Sequence, residues 1–314
     1  MTMNKPVLNP ARSKWRMIKK ERAIYLFVLP ALITTLVFSY LPMFGNVIAF
    51  MDYSPAKGWM GLNSPFVGFQ WFRIIFSSKT FIEMILRTMY YNFLLLIVGF
   101  PFPVILALLL NELRSKLFKR TVQTITYLPH FVSWVTIGTL LYLLLSSDVA
   151  GIVNNIRQFF GAENRIIFFG NAKYFPSILL VSSIYKTMGY GSILYLAAIS
   201  SIDSQLYEAA VIDGAGKWKQ FVHITFQGIL PTMVILLILN IGSFFSSSFD
   251  QILNLQNTLI RSDTNIITVY AYWEVQKNNY SSAAAISLFQ GVANMILLIT
   301  SNHISRKVTD YGLF

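Results

Sequence analysis

Residues that could perform acid–base or metal chemistry are dispersed along this sequence. The three histidines, His130, His223 and His303, lie on different segments, and none has an aspartate or glutamate positioned nearby as a partner. No His-Glu-x-x-His pattern occurs. The lack of cysteine excludes thiol nucleophiles and Cys-ligated zinc or iron–sulfur clusters. We therefore expect no catalytic residue, no metal site and no cofactor in this chain.

A glycine-containing segment, Gly214-Ala215-Gly216-Lys217, has a superficial similarity to a phosphate-binding loop. The pattern of such loops, G-x-x-x-x-G-K-[ST], requires glycine where Val211 stands and Ser or Thr where Trp218 stands. Both positions fail, and no strand is predicted before the segment. We therefore expect no ATP to bind there.

Lys186 is the only Lys, Arg, Asp or Glu near the middle of an apolar run, where a charge costs about 3 kcal/mol on insertion scales. It either bonds to a neighbouring helix or faces a solute pathway, and both alternatives remain open. Aromatic hydroxyl groups suit sugars, although packing is the alternative for each ring. The candidate pathway residues are Lys186, Tyr185, Tyr190, Tyr195 and Trp134. A lysine among tyrosines would suit a solute that carries hydroxyl and acidic groups.

The composition places these residues in a bilayer. Of the 314 residues, 55% are hydrophobic and only 12% are charged, about half the share of a soluble protein. Six apolar runs are long enough to cross the hydrocarbon core, at 23–50, 88–110, 122–145, 176–199, 229–249 and 283–301. We expect an all-α membrane protein with six spans in one domain (23–301), between a basic segment (1–22) and a tail (302–314). The first span is expected to be peripheral to the other five.

The distribution of lysine and arginine predicts the orientation of the spans. The two ends of the chain and the loops on their side carry about twice the density of these residues found in the opposite loops. Both termini of this multi-pass protein are therefore expected to be cytoplasmic. The net charge of +12 then follows from membrane topology. No basic and aromatic ladder that could stack bases occurs, so we expect membrane lipid, and no nucleic acid, as a partner.

One cytoplasmic segment, 204–231, has the pattern of two short helices joined by a glycine turn. Ser204 is a candidate N-cap, Glu208 lies near the positive end of the first helix dipole, and Gly214 fits the left-handed position after that helix. The second helix, 217–226, has one apolar face. We expect a compact protrusion, and the alternative is a helix pair that lies on the membrane surface.

This segment resembles the EAA loop of the permease subunits of bacterial ABC importers. In that family the loop, 200–228 here, forms a coupling helix that docks in a cleft of the ATPase subunit. The resemblance assigns this role to Glu208, Ala209, Ala210, Asp213, Gly214, Ala215 and Gly216, which match the family's motif and are followed by Phe221, Ile224, Leu230 and Pro231. Many relatives continue with Ile-x-Leu-Pro where this chain has 224–227, which predicts a different bend at the entry to the fifth span.

Other motifs extend the resemblance from about residue 21 to the C-terminus. Segments at 67–72, 110–113, 127–134 and 151–154 are similar to the maltose-type sugar permeases, particularly the branch for complex oligosaccharides. The resemblance implies a bacterial cytoplasmic membrane, a second homologous permease subunit, two ATPase subunits that hold ATP and Mg, and an extracytoplasmic solute-binding protein. This chain would form half of the pathway for an oligosaccharide and hydrolyse nothing itself. With Lys186 among tyrosines, an acidic oligosaccharide such as a fragment of alginate or pectin would fit this pathway.

Two other functions are alternatives to this one. A permease for another solute, such as peptides or amino acids, would have the same coupling loop. An integral-membrane enzyme acting on lipid-linked sugars would need acidic or histidine residues that meet at one membrane face, and none can be paired in this sequence.

Overall fold

The computed structural model describes residues 21–57, 61 and 63–314, and helices dominate these residues. The β-structure among these residues is an isolated antiparallel bridge between Met51 and Phe66. The helices are α1 (Ile24–Phe50), α2 (Gln70–Ser77), α3 (Lys79–Glu112), α4 (Lys116–Phe131), α5 (Trp134–Leu144), α6 (Ile152–Phe159), α7 (Phe175–Ser200), α8 (Ser204–Ile212), α9 (Lys217–Gly242), α10 (Phe249–Leu255), α11 (Arg261–Thr264), α12 (Ile267–Gln276) and α13 (Tyr280–Thr309). The predicted basic segment at 1–22 lies, except for its last two residues, outside the described residues.

Within the described ranges, four helices are long and apolar enough to cross a membrane: α1, α3, α9 and α13. A fifth span results if α4 and α5, which are bent by 102° at their junction, count as one. By these criteria the six predicted spans are not all recovered. The predicted fourth span corresponds to α7, which has 26 residues, or about 39 Å of helix. Its length suffices, but Lys186 and the small polar residues around it lower its hydropathy.

The predicted third span is broken instead of continuous. Pro129 has no N–H for the helix ladder, and α4 ends two residues later. Ser133 then begins α5, because its side chain accepts the backbone N–H of Thr136 at 3.1 Å. A local stop signal followed at once by a local start signal lets the chain change direction inside an apolar run.

The fifth span begins earlier and ends earlier than predicted. The predicted second short helix at 217–226 is the first part of α9, which passes through a π-helical turn at Phe221–Thr225 and continues to Gly242. The apolar run continues to Phe249, but the backbone leaves the helix at Ser243. It turns through a serine-rich segment, 243–248, in which Ser248 has a left-handed φ of 65°. The predicted exit at residue 249 was wrong because hydropathy does not register this turn.

Helix α7 contributes to two of the three buried clusters of the described chain and packs against α3, α4 and α9, whereas the third cluster joins α1, α2, α3, α12 and α13. Glycine permits the closest of these approaches, since a Cβ on Gly189 would lie only 1.9 Å from the backbone oxygen of Thr126 in α4. On another side, Tyr195 of α7 packs with Val104 of α3 and Ile229 of α9. The helix with the lowest hydropathy among the long ones is thus enclosed on several sides by its neighbours.

The two ends of the described chain differ in how they are attached. The most apolar stretch of α1 has none of its residues buried, and the helix joins the core at Ala49, next to α13. This agrees with the predicted peripheral position. The predicted tail at 302–314 begins inside α13, and its last residues fold back so that Leu313 donates its N–H to the Asn302 side chain at 2.7 Å.

Candidate coupling surface and solute cavity

The N-terminal end of the predicted coupling segment is capped by an aspartate. The carboxylate of Asp203 accepts the backbone N–H of Gln205 at 2.9 Å, and α8 begins at Ser204. The sequence suggested Ser204 as the N-cap, but Ser204 is the first residue of the helix and Asp203 is the N-cap. Aspartate and serine are both good N-caps, so two adjacent candidates left the start of the helix uncertain by one position.

A glycine turn ends α8 and fixes its angle to α9. Gly214 has φ of +72°, as predicted, and it donates its N–H to Val211 O at 3.0 Å. Ala215 donates to Ala210 O at 2.8 Å, which completes a Schellman motif. The buried Gln220 of α9 then donates its amide to Ala215 O at 2.8 Å. The turn is thus held by bonds to both helices that it joins.

A side-chain bond also ties the helices together, since Tyr207 Oη of α8 lies 2.9 Å from Thr225 Oγ1 of α9. On its other face α8 is open: Ile212 is 87% exposed and Trp218, at the start of α9, is 74% exposed. The seven predicted coupling residues form one continuous protrusion, in which Ala210 and Ala215 are half-buried and the other five are exposed. Helix α8 therefore presents an uncovered surface that is largely apolar.

A cavity of about 740 Å³ adjoins this protrusion. Glu112 and Arg114, at the end of α3, form one wall, and Tyr207, Glu208 and Lys217 form part of the other. Its lining combines both signs of charge with the apolar side chains of α8.

A second candidate site lies between the long helices. A cavity of about 350 Å³ separates α3, α7 and α9, and a neighbouring cavity of about 320 Å³ lies beside the start of α5 and α10. Ser183, Thr187 and Ser248 line both. Other polar residues on the walls are Asn92, Asn240, Ser246, Ser247, Asp250 and Gln251. Hydroxyl and amide groups therefore provide hydrogen-bond donors and acceptors inside an otherwise apolar bundle.

The structure brings only some of the predicted pathway residues to these cavities. Trp134 lines the smaller one, and Tyr195 borders the larger one although its side chain is only 2% exposed. Tyr185, Tyr190 and Lys186 line neither cavity. Tyr185 is an exposed residue elsewhere on α7, whereas Tyr190 stacks on His130 with ring centroids 3.9 Å apart.

Lys186 is bonded to backbone carbonyls of the broken span. Its ammonium group donates to His130 O at 2.8 Å and also to Val132 O. These contacts correspond to the first of the two alternatives that the sequence left open for this lysine.

The polar wall itself was missed in the sequence. Ser183 and Thr187 stand four residues apart on α7, and Gly191 continues the same face. A run of small polar residues at helical spacing within an apolar segment was therefore the available signal. The serines at 246–248 are a second signal, although the apolar run that predicts the fifth span includes them.

Asn92 connects this wall to the helix turn behind it. The side chain is 5% exposed; its amide donates to Phe244 O at 2.7 Å, and its carbonyl oxygen accepts from Ser247 Oγ at 2.7 Å. Both bonds hold the serine-rich turn that follows α9 against α3. Asn92 thus positions several of the hydroxyl groups that line the cavities.

Asn92→Ala is expected to lower the free energy of unfolding by about 1–2 kcal/mol, because it removes two buried hydrogen bonds and leaves Phe244 O and Ser247 Oγ with only the 3.2 Å bond between them. The thermal unfolding midpoint in detergent measures this effect. Thr187→Ala is the matched control, since Thr187 also lines the cavities but bonds only to Ser183 O in its own helix. Equal midpoints for both variants would contradict the role assigned to Asn92.

Comparisons with known proteins agree with this architecture. Residues 99–310 match a family described as binding-protein-dependent transport system inner membrane component. Protein LplB of Bacillus subtilis (strain 168) is 39% identical over 298 residues, covering 95% of this chain and 92% of LplB. The polygalacturonan/rhamnogalacturonan transport system permease protein YteP, of the same organism, is 38% identical and covers 94% of this chain and 91% of its own length.

A solved structure of a bacterial ABC transporter involved in the import of the acidic polysaccharide alginate contains a similar chain. That chain has 36% identity and a TM-score of 0.85, with 95% of this chain and 99% of the other covered. The same values hold for the alginate transporter in complex with an alginate pentasaccharide-bound periplasmic protein. The extent of these matches shows that this chain belongs to the family of inner membrane components of binding-protein-dependent transport systems.

Proposed function

We propose that this chain is one of two permease subunits that form the pathway for an oligosaccharide in an ATP-binding-cassette importer. The observation that carries the proposal is a cavity walled by hydroxyl and amide groups inside a bundle of apolar helices. Such a wall can replace the water that hydrates a sugar. The names of YteP and of the alginate transporter favour an acidic oligosaccharide, since galacturonate and alginate units carry carboxylates.

The membrane topology completes this proposal. We assign six spans to α1, α3, the bent pair α4–α5, α7, α9 and α13. The enclosure of α7 by α3, α4 and α9 supports its inclusion, because a buried helix can cross the membrane without a uniformly apolar surface. An even number of spans places both termini on one side, and the bias of lysine and arginine assigns that side to the cytoplasm.

The protrusion formed by α8 and the turn at Gly214 is the proposed docking site for an ATPase subunit. Its exposed apolar side chains support contact with another protein, because Val211, Ile212 and Trp218 otherwise remain in water. Two ATPase subunits would bind ATP and Mg, a second homologous permease would close the pathway, and a solute-binding protein would deliver the oligosaccharide. This chain would supply no catalytic group.

Helix α9 is the proposed lever between docking and solute movement. It runs without a break from Lys217 beside the protrusion to Asn240 at the cavity wall, a distance of about 35 Å. The bonds from Tyr207 and Gln220 tie the protrusion to its first turns. Closure of the ATPases on ATP would therefore displace α9 and change which side of the membrane the cavity faces.

A neutral oligosaccharide is the second candidate. Asp250 is the only charged residue among those that line the two cavities of the described chain. Its carboxylate accepts hydrogen bonds from neutral hydroxyl groups but repels a carboxylate of the solute. The second permease subunit would have to supply cationic groups for an acidic solute.

Purification of the complex that assembles with this chain in its native membrane tests the proposal. We expect a Walker-type ATPase and a second permease to co-purify. With the solute-binding protein present, oligogalacturonate or oligoalginate is expected to stimulate ATP hydrolysis more than a neutral oligosaccharide of equal length. Absence of an ATPase from the complex would refute the importer function. Equal or greater stimulation by the neutral sugar would refute only the acidic cargo.

A further inference from the structure

The break between α4 and α5 leaves backbone carbonyls that need partners. The last carbonyl groups of a helix receive no N–H donor from within that helix, and lipid offers no donors to replace water. The chain bends by 102° within the two residues between Phe131 and Trp134. The carbonyls of His130 and Val132 therefore point out of the helix ladder at a depth where an unpaired polar group is costly.

Lys186 supplies donors to both of these carbonyls from the facing helix α7. A cation at the C-terminal end of a helix is also stabilised by the helix dipole, and α4 ends at this point. The cost of a half-buried charge is thus offset by hydrogen bonds to the carbonyl groups that the break exposes. The lysine stabilises the break, and the carbonyl groups at the break stabilise the charge of the lysine.

Neighbouring residues fix the same junction from other directions. Tyr190, one turn beyond Lys186 on α7, stacks on His130 with an angle of 5° between the rings. The Lys186 ammonium lies 5.4 Å from the centre of the Trp134 ring, within the range of a cation–π contact. Gly189, between the two, allows the backbone of α4 to touch α7.

Beyond the junction, α5 is held by a different neighbour. The backbone oxygen of Asn254 lies 2.9 Å from the Cβ position of Gly138, and Tyr142 Oη donates to Leu255 O at 3.0 Å. Helix α5 therefore packs against α10, whereas α4 packs against α7. Trp134 lines the smaller cavity together with Asp250 of α10, so the angle at the junction sets the relative positions of the cavity walls.

We propose that Lys186 is a positioning residue, whose charge holds the α4–α5 junction bent and thereby places Trp134 at the cavity. The ammonium group uses two of its three N–H bonds on the junction, and its side chain does not line the cavity. The solute therefore contacts Trp134 and the other lining residues, and Lys186 acts only through their positions. This role does not depend on whether the cargo is acidic, or on its being a sugar.

The lack of cysteine in this chain permits a direct test. Cysteines introduced at the exposed positions Thr124 in α4 and Leu140 in α5 can carry spin labels, and pulsed electron paramagnetic resonance gives the distribution of distances across the junction. In the purified complex without solute, Lys186→Met is expected to broaden or shift this distribution. Lys186→Arg, which keeps charged donors, is expected to restore it. Lys173→Met, an exposed lysine before α7, is the matched control.

A second readout separates positioning from attraction of an acidic solute. Lys186→Met is expected to reduce the transport of oligogalacturonate and of a neutral oligosaccharide equally, by about tenfold or more, because both charge-assisted hydrogen bonds to the junction are lost. An unchanged distance distribution, or a loss confined to the acidic sugar, would overturn the proposal. If Lys186→Met does not assemble, Lys186→Gln, which keeps a donor but removes the charge, must broaden the distribution with the same labels, and a narrow one would overturn the proposal. The distances are measured without solute, so this test of Lys186 remains valid even if the oligosaccharide assignment fails.

Discussion

Substituting Gly189 by alanine is expected to separate α4 from α7 and to lower the free energy of unfolding by about 3 kcal/mol or more. The added Cβ would lie 1.9 Å from Thr126 O, and this obstacle is backbone that no rotamer change can move. The helices would have to part by more than 1 Å, which would weaken the contacts of Lys186 and Tyr190 as well. The yield of monodisperse protein and its thermal unfolding midpoint in detergent measure the effect.

Gly99→Ala serves as the control for this prediction. Gly99 also lies in a long helix, but the nearest atom to its Cβ position is a side-chain carbon of Leu180 at 3.9 Å, an ordinary contact. Its unfolding free energy is expected to change by no more than about 0.5 kcal/mol. A Gly189→Ala variant that unfolds at the same temperature as Gly99→Ala would show that α4 and α7 do not approach as described.

Gly214→Val is expected to leave the protein inserted and assembled but to reduce uptake by about tenfold while ATP hydrolysis continues. The φ of +72° is strained for a β-branched residue by about 1–3 kcal/mol, enough to change the turn after α8. No atom lies within 4 Å of the Cβ position, so the conformation alone is tested. Uptake of labelled solute and ATPase activity, measured in the same proteoliposomes, give the ratio of the two activities.

Gly214→Asn is the matched variant, because asparagine tolerates the left-handed conformation better than other side chains. Its uptake is expected to stay near that of the unmodified protein. Glu208→Lys, which reverses an exposed charge on α8 without affecting the turn, should uncouple uptake as Gly214→Val does. Normal solute accumulation by Gly214→Val and Glu208→Lys would contradict the role of this protrusion in coupling.

Features that depend on neighbouring residues were accessible from the sequence. The glycine turn at 214 was predicted correctly, because only a few residue types adopt a positive φ and the helix before it had a clear end. The runs that became α3 and α13 were found from apolar length alone. Asp203 was missed as the N-cap because Ser204 beside it was an equally good candidate.

Features that depend on distant residues were not accessible. Pro129 marked a weak point in the third span, but the bend there is stabilised by Lys186, more than fifty positions away. The cavity wall combines residues of α3, α7 and the turn after α9, whose proximity follows from helix packing. Asn154 lies in the segment 151–154, which resembles the sugar permeases. Its buried side chain donates to both Ser146 O and Ile166 O, a role that only the three-dimensional structure shows.

The single attachment of α1 has a consequence for how the protein meets its membrane. This helix contacts the rest of the described chain near Ala49 and presents apolar side chains on every side before that point. Its remaining length can tilt about the fixed end without moving the walls of the cavity. Bilayers of different thickness can therefore be matched by the inclination of this one helix, without a change in the arrangement of the helices that wall the cavity.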